Sequence, residues 1–165
     1  MPLAQKIGLS LPTIKSLNRW TPLEETTLVA WWQFAMGITD SGATAYKVSK
    51  WDDSSTNNNH LIQSVLTEQP TNGNTSATKG TITFNSSDSQ NMDTTSQISL
   101  ADDFTIGVAL NLAAGGGILL GDNTINGEFF RFFSTTKIRI KIDNATAVDI
   151  EKDSGNFLGK AYLVL

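Results

Sequence analysis

The chain of 165 residues contains no cysteine and a single histidine, His60. The first absence excludes disulfides and thiolate-held zinc or iron–sulfur centres, and it leaves the redox compartment open. The second excludes a multi-histidine metal site. A Ser-His-Asp triad would have to run through His60, and no Gly-x-Ser-x-Gly elbow accompanies it. Long apolar runs are missing too: none approaches the roughly 20 residues of a membrane-spanning helix, and no secretory-type stretch follows Met1. The expectation is therefore no membrane partner, and retention in the cell until lysis. Charge is also scarce, at 17% of residues with 12 basic, 16 acidic and a formal net charge of -4. Nucleic acid is not an expected partner, because a phosphate backbone is held by clustered cations that replace its counterions. The one local basic group, Lys137, Arg139 and Lys141, alternates with Ile138, Ile140 and Ile142 and reads as the solvated face of a strand.

What is present in quantity is Ser, Thr, Asn and Gly, a composition that suits short strands joined by many turns. The length suits one domain plus a tail. Residues 1–23 form the expected tail. Pro2, Pro12 and Pro22 interrupt any continuous helix or central strand, yet Ile7, Leu9, Leu11, Ile14 and Trp20 are too apolar for a solvated linker. Such a segment is expected to become ordered by lying on a surface, as an extended anchor. No repeat of fixed period appears, which argues against solenoids and propellers.

From residue 24 onward the signals are those of strands. Phe104, Ile106, Val108, Leu110 and Leu112 alternate with small or polar residues, a period of two. Gly115-Gly116-Gly117 reads as a flexible connection into residues 118–120, and Gly121-Asp122-Asn123 as a turn. Residues 128–133 and 137–142, separated by Ser134-Thr135-Thr136, have hairpin spacing. Asp143-Asn144 ends the second of these strands, a strand continues over 147–150, and Ser154-Gly155-Asn156 marks the next turn. Adjacent Trp31 and Trp32 in the apolar run 28–34 would face opposite sides of a strand. The polar stretch 52–80 is expected to be surface loop with one short buried element at 61–66. The expected core comprises Phe84, Phe104, Ile106, Val108, Leu110, Ile138, Ile140 and Ile142.

Three short stretches carry a resemblance. Val48-Ser49-Lys50-Trp51-Asp52-Asp53-Ser54-Ser55-Thr56-Asn57-Asn58-Asn59-His60 resembles the Trp-x-Asp-x-Ser-Gly-x-Gly-Asn-His stretch of concanavalin A-like, laminin-G-like domains, matching at Trp51, Asp53, Ser55, Asn59 and His60. Thr56 and Asn58 stand where that family has loop glycines; Asn tolerates a left-handed backbone and Thr does so poorly. Gly80-Thr81-Ile82-Thr83-Phe84 through Asp88 looks like the family strand ending in Phe-Asp-Gly-x-x-Asp, and Asp102-Asp103-Phe104-Thr105-Ile106 like the strand after it. The wording of Ile7-Gly8-Leu9-Ser10-Leu11-Pro12, Trp20-Thr21-Pro22 and Leu28-Val29-Ala30-Trp31-Trp32 is similar to structural proteins of large tailed phages that infect marine cyanobacteria.

The resemblance implies an all-β, antiparallel two-sheet jelly-roll sandwich, concanavalin A-like, over residues 24–165. Family members continue past the strand that begins at Ala161, so the sandwich is expected to be completed beyond Leu165 by further chain or by a neighbouring chain. It also implies a non-enzymatic virion structural protein whose partners are other virion proteins and copies of itself. A lectin-like module for host-surface glycans is the alternative, with Trp31, Trp32 and Trp51 as stacking candidates. Glycanases of this fold place Glu-x-Asp-x-x-Glu on one strand. The nearest match, Glu151-Lys152-Asp153, has Asn156 at the third carboxylate position, so no catalytic residues are expected. No cofactor is expected. Asp53, Asp88 and Asp103 are the calcium candidates, against the reading that they brace turns without a metal. His60 reads as a loop-packing residue that hydrogen-bonds the backbone.

Overall fold

A computed structural model describes residues 21–33, 35–42, 46–73, 81–99, 104–121, 128–140 and 147–164. Every strand ladder among them is antiparallel, and the helical residues are three single 3-10 turns, Pro22–Glu24, Leu66–Glu68 and Ser86–Asp88. The fold is all-β, with antiparallel sheets compatible with a β-sandwich. The chain divides into two compact units, Met1–Ile98 and Ser99–Leu165. The expected anchor residues Ile7, Leu9, Leu11, Ile14 and Trp20 lie outside the described residues. So do Asp103, Lys141, Ile142, and the turn residues Asp122, Asn123, Asp143 and Asn144.

In the first unit β1 (Ile38–Asp40), β2 (Val48–Trp51), β3 (Leu61–Ile62), β4 (Thr71–Asn72), β5 (Ile82–Thr83) and β6 (Asp93–Thr94) form two sheets, ordered β1-β2-β3-β6 and β4-β5. The pairings Ile38↔Trp51, Trp51↔Leu61 and Leu61↔Thr94 align one row of side chains across the first sheet. Its interior is mostly polar. Val48 and Pro70 are fully buried, but the other buried side chains are Asp53, Asn59, Gln63 and Gln69. Buried polar groups persist only when bonded. Gln63 donates to Asn91 Oδ1 at 2.8 Å and accepts the Val65 N–H at 2.9 Å. Gln69 donates to the Gln63 carbonyl at 2.8 Å, and its own Oε1 is the exception, buried without a partner among the described residues.

Two expectations are corrected here. The stretch 52–80 supplies most of this interior, and within 61–66 it is Gln63 that points inward while Ile62, Val65 and Leu66 are exposed. Phe84 is 49% exposed and not in the core. β5 ends at Thr83, and the next residues turn away into the Ser86–Asp88 3-10 turn, capped by Asn85 accepting the Ser87 N–H at 3.1 Å.

The second unit contains β7 (Gly107–Leu112), β8 (Ile118–Gly121), β9 (Glu128–Phe132), β10 (Lys137–Ile140), β11 (Val148–Glu151) and β12 (Gly159–Val164). The sheet orders are β11-β10-β9-β8 and β12-β7. The strand foreseen from Phe104 starts only at Gly107, but half-buried and exposed residues alternate from Phe104 to Leu112 as the period of two requires. The core is Phe130, Phe132 and Ile138, with Leu110, Leu112, Leu120, Ile140 and Phe157 packed against it. Phe104 packs tilted against Phe129 with ring centroids 5.7 Å apart. The triple glycine is a close backbone approach and not a loose connection. A Cβ on Gly115 would meet the Ser134 carbonyl carbon at 2.6 Å, and Gly116 N–H donates to the Phe132 carbonyl at 2.6 Å.

The outer face of β9–β11 is charged. Arg139 lies opposite both Arg131 and Asp149. Like charges directly opposite repel. Here the Arg139 guanidinium donates to Asp149 at 2.7 and 3.1 Å and stacks 3.9 Å from the Phe133 ring centroid. The Arg139 hydrogen bond holds the Asp149 carboxyl below the usual aspartate range.

Burial separates two phenylalanines that look alike in sequence. Phe130→Ala is expected to cost about 3–5 kcal/mol of stability through cavity formation. Phe84→Ala should cost less than about 1 kcal/mol, as for an exposed position. Urea unfolding followed by far-UV circular dichroism measures both, and equal losses would return Phe84 to the core.

Candidate functional site

The residues that carry the family resemblance meet in the loop between β2 and β3. Trp51 ends β2 half-buried, and its indole N–H lies 3.0 Å from the Gln33 carbonyl and 3.1 Å from that of Met36. Asp53 follows in a bridge to Trp32. Its carboxylate, only 6% exposed, is the centre of the loop. Oδ1 accepts the N–H groups of Trp31 and Ser55, each at 2.8 Å. Oδ2 accepts the Ser55 hydroxyl at 2.6 Å and the Asn59 N–H at 3.0 Å. Burial acts to raise the Asp53 carboxyl, but the Ser55 hydroxyl and the three backbone N–H groups outweigh it and hold it below the usual aspartate range.

His60 closes the same loop. Its Nδ1 accepts the Asp53 N–H at 3.1 Å and lies 3.2 Å from Asp52 Oδ1. One nitrogen serves these partners one at a time: a lone pair takes the N–H, whereas the carboxylate requires a proton on Nδ1. Lys50 Nζ, at 2.7 Å, already pairs with the same Asp52 oxygen.

The loop is tied to segments on two sides. Asn59 Nδ2 donates to the Val29 carbonyl at 2.9 Å and Asn57 Nδ2 to the Leu28 carbonyl at 2.7 Å, while Trp32 Nε1 donates to the Asn59 carbonyl at 2.9 Å. On the other side Thr95 donates its N–H to the His60 carbonyl and its hydroxyl to the Asn58 carbonyl, both at 2.8 Å. Asn58 adopts φ +59°, the left-handed conformation that Asn tolerates, and Thr56 does not. Asn57 and Thr95 had no signal in the sequence, since an Asn in a loop looks like any other turn former.

Asp88 sits in its exposed 3-10 turn, where Oδ2 accepts from Asn85 at 3.0 Å and Gln90 at 3.3 Å. Among the described residues no group of three or more His, Asp and Glu is arranged to hold a metal ion. Glu151 ends β11, ion-paired with Lys137 at 3.5 Å. Trp31, Trp32 and Trp51 are each half-buried. A shallow depression of about 400 Å³ is walled by Lys47, Leu66, Thr67 and Asp88, with no aromatic ring among the described residues that line it. No helix among the described residues is long and apolar enough to cross a membrane.

Asp53→Asn turns one acceptor into a donor and sets it against two existing donors. The expected loss is about 1–3 kcal/mol, read by urea unfolding with tryptophan fluorescence. Because the folded carboxyl titrates below its unfolded value of about 3.9, its contribution is complete above that pH and is lost as pH falls through the folded value. The wild-type chain should therefore lose stability below about pH 4 more steeply than Asp53→Asn; parallel profiles would show that the carboxylate is not held by its donors. Gly37 abuts this loop with φ +66°, and a Cβ there would lie 2.6 Å from Asp52 Cβ, whereas Gly42 at φ +70° has nothing within 4 Å. Gly42→Ala should cost about 1–2 kcal/mol for the left-handed backbone alone. Gly37→Ala should cost clearly more in the same assay.

Compared with known proteins, the chain matches no family model, no curated protein and no solved structure.

Proposed function

We propose that the chain is a non-enzymatic structural and display component of a tailed-phage virion, held to the particle by residues 1–23 and carrying a concanavalin A-like jelly roll. Its partners on this reading are other virion proteins and further copies of itself. The observation that carries the reading is the use made of the motif residues. Asp53 accepts four hydrogen bonds, His60 accepts a fifth at the Asp53 N–H, and Asn59 clips a distant segment, so the polar atoms of the motif serve the fold. A carboxylate saturated by donors is poorly placed to act as a base or to coordinate a cation. The motif therefore builds a rigid scaffold loop, the requirement of a subunit that is packed or displayed.

The anchor follows from the sequence. Ile7, Leu9, Leu11, Ile14 and Trp20 cannot remain solvated without cost, and Pro2, Pro12 and Pro22 keep them from forming a compact element of their own.

Deleting residues 1–22 should leave a soluble β-protein with unchanged far-UV circular dichroism that fails to enter particles, measured as copies per purified virion from infected cells. Incorporation at normal copy number would overturn the anchor. A glycan array probed with the full chain should show no saturable binding. Saturable binding would favour the glycan-recognition reading.

A further inference from the structure

The sheet of the second unit ends at β11, and among the described residues no strand pairs with its outer edge. Cross-strand pairing places Ile150 beside Ile138 and Val148 beside Ile140, so both continue the apolar face whose centre is Phe130, Phe132 and Ile138. That face is covered at its centre and bare at its edge. Ile138 is 4% exposed, whereas Ile150 is 46% and Val148 61% exposed. An open edge beside an uncovered apolar strip is a template for an added strand. Among the described residues no strand covers Val148 and Ile150.

The opposite face of β11 selects the occupant. Asp149 and Glu151 point to the charged side, with Arg139 and Lys137 as their neighbours on β10. Two β11 strands cannot cover each other well. The antiparallel register that sets Val148 of each copy opposite Ile150 of the other also sets Asp149 opposite Asp149, and like charges directly opposite repel. The strand that fits has aliphatic residues at alternate positions and a cation, with no acid, at the positions between.

Such a sequence occurs in this chain. Residues 1–20 contain Lys6, Lys15 and Arg19 and no Asp or Glu. Within them Ile7, Leu9 and Leu11 alternate with Lys6, Gly8 and Ser10, the period of two. We propose that the segment around Ile7–Leu9 of one copy adds antiparallel to β11 of a second copy, with Ile7 opposite Ile150 and Leu9 opposite Val148. Lys6 then faces Glu151, and Gly8 faces Asp149 without disturbing its pair with Arg139. Pro2 and Pro12 fall outside the paired residues, so no ladder donor is lost. The contact is head-to-tail, so it builds reciprocal dimers, rings or open arrays according to the rotation it imposes. The inference rests on the reading of residues 1–23 as an anchor and names the surface that the anchor finds.

The absence of cysteine allows a direct test in the full chain. A Leu9→Cys protein and a size-tagged Val148→Cys protein are mixed and oxidised gently, and the mixed disulfide dimer is measured. Cα atoms opposite one another in an antiparallel pair lie within disulfide range. The mixed dimer should form at least about tenfold more than with Ser10→Cys in place of Leu9→Cys, because adjacent residues face opposite sides of a strand. No mixed dimer, or equal yields from the two, overturns the proposal. Independently, Lys6→Glu should weaken self-association in sedimentation velocity, and adding Glu151→Lys should restore it; failure to restore refutes the register. A mixed dimer together with normal particle incorporation after deletion of residues 1–22 would keep the β11 contact and discard the anchor. Lost incorporation without a mixed dimer would keep the anchor and discard β11 as its site.

Discussion

The first unit depends on the satisfaction of one buried carboxylate. Asp53 brings a charge into an interior that offers few apolar groups, and such a group is tolerated only when its acceptor sites are filled. The donors come from Trp31, Ser55 and Asn59, which lie as far as 22 residues away in sequence. Each bond therefore fixes more than a side chain. The Trp31 N–H brings the 28–32 segment onto the loop, where the amides of Asn57 and Asn59 take its carbonyls. The Asn59 bond sets the chain direction into His60 and β3, whose pairing with β6 closes the sheet. A network of this kind is cooperative: each donor is held in place by the geometry the others create.

The second unit follows the opposite logic. Its centre is aromatic and aliphatic, and charged side chains line the opposite face of β9–β11. There the arginines of β9 and β10 would repel across the ladder, and the Phe133 ring and the Asp149 carboxylate moderate that repulsion from two directions. Phe133 is exposed because it belongs to this face, one residue beyond Phe132 in the core. One strand thus contributes alternately to a dry interior and to a charged surface, and the same alternation leaves Val148 and Ile150 apolar where the sheet stops.

The loop and the open edge suggest a division of labour. The carboxylate at the centre of the loop has its acceptor sites filled by Trp31, Ser55 and Asn59, and so the loop holds its shape through internal bonds. An edge strand with no partner among the described residues and with exposed aliphatic side chains is a template for another strand, and proteins normally blunt such edges unless they are used.

The local elements were legible in the amino-acid sequence, because period-two alternation at 104–112 and the Ser134-Thr135-Thr136 spacing depend only on backbone geometry and on which side chains avoid water. The motif around Trp51 and His60 was legible as a loop for the same reason, since Asp and Asn close turns through short-range bonds. What the sequence did not determine was which polar residues go inside. Gln63 and Gln69 look like surface residues, and Phe84 looks like core. Only the tertiary structure decided otherwise, because burial of an amide depends on donors and acceptors that arrive from distant segments, and exposure of a ring depends on where the chain turns after its strand ends. Pattern records the preference of each residue taken alone, whereas packing settles which of those preferences are met together.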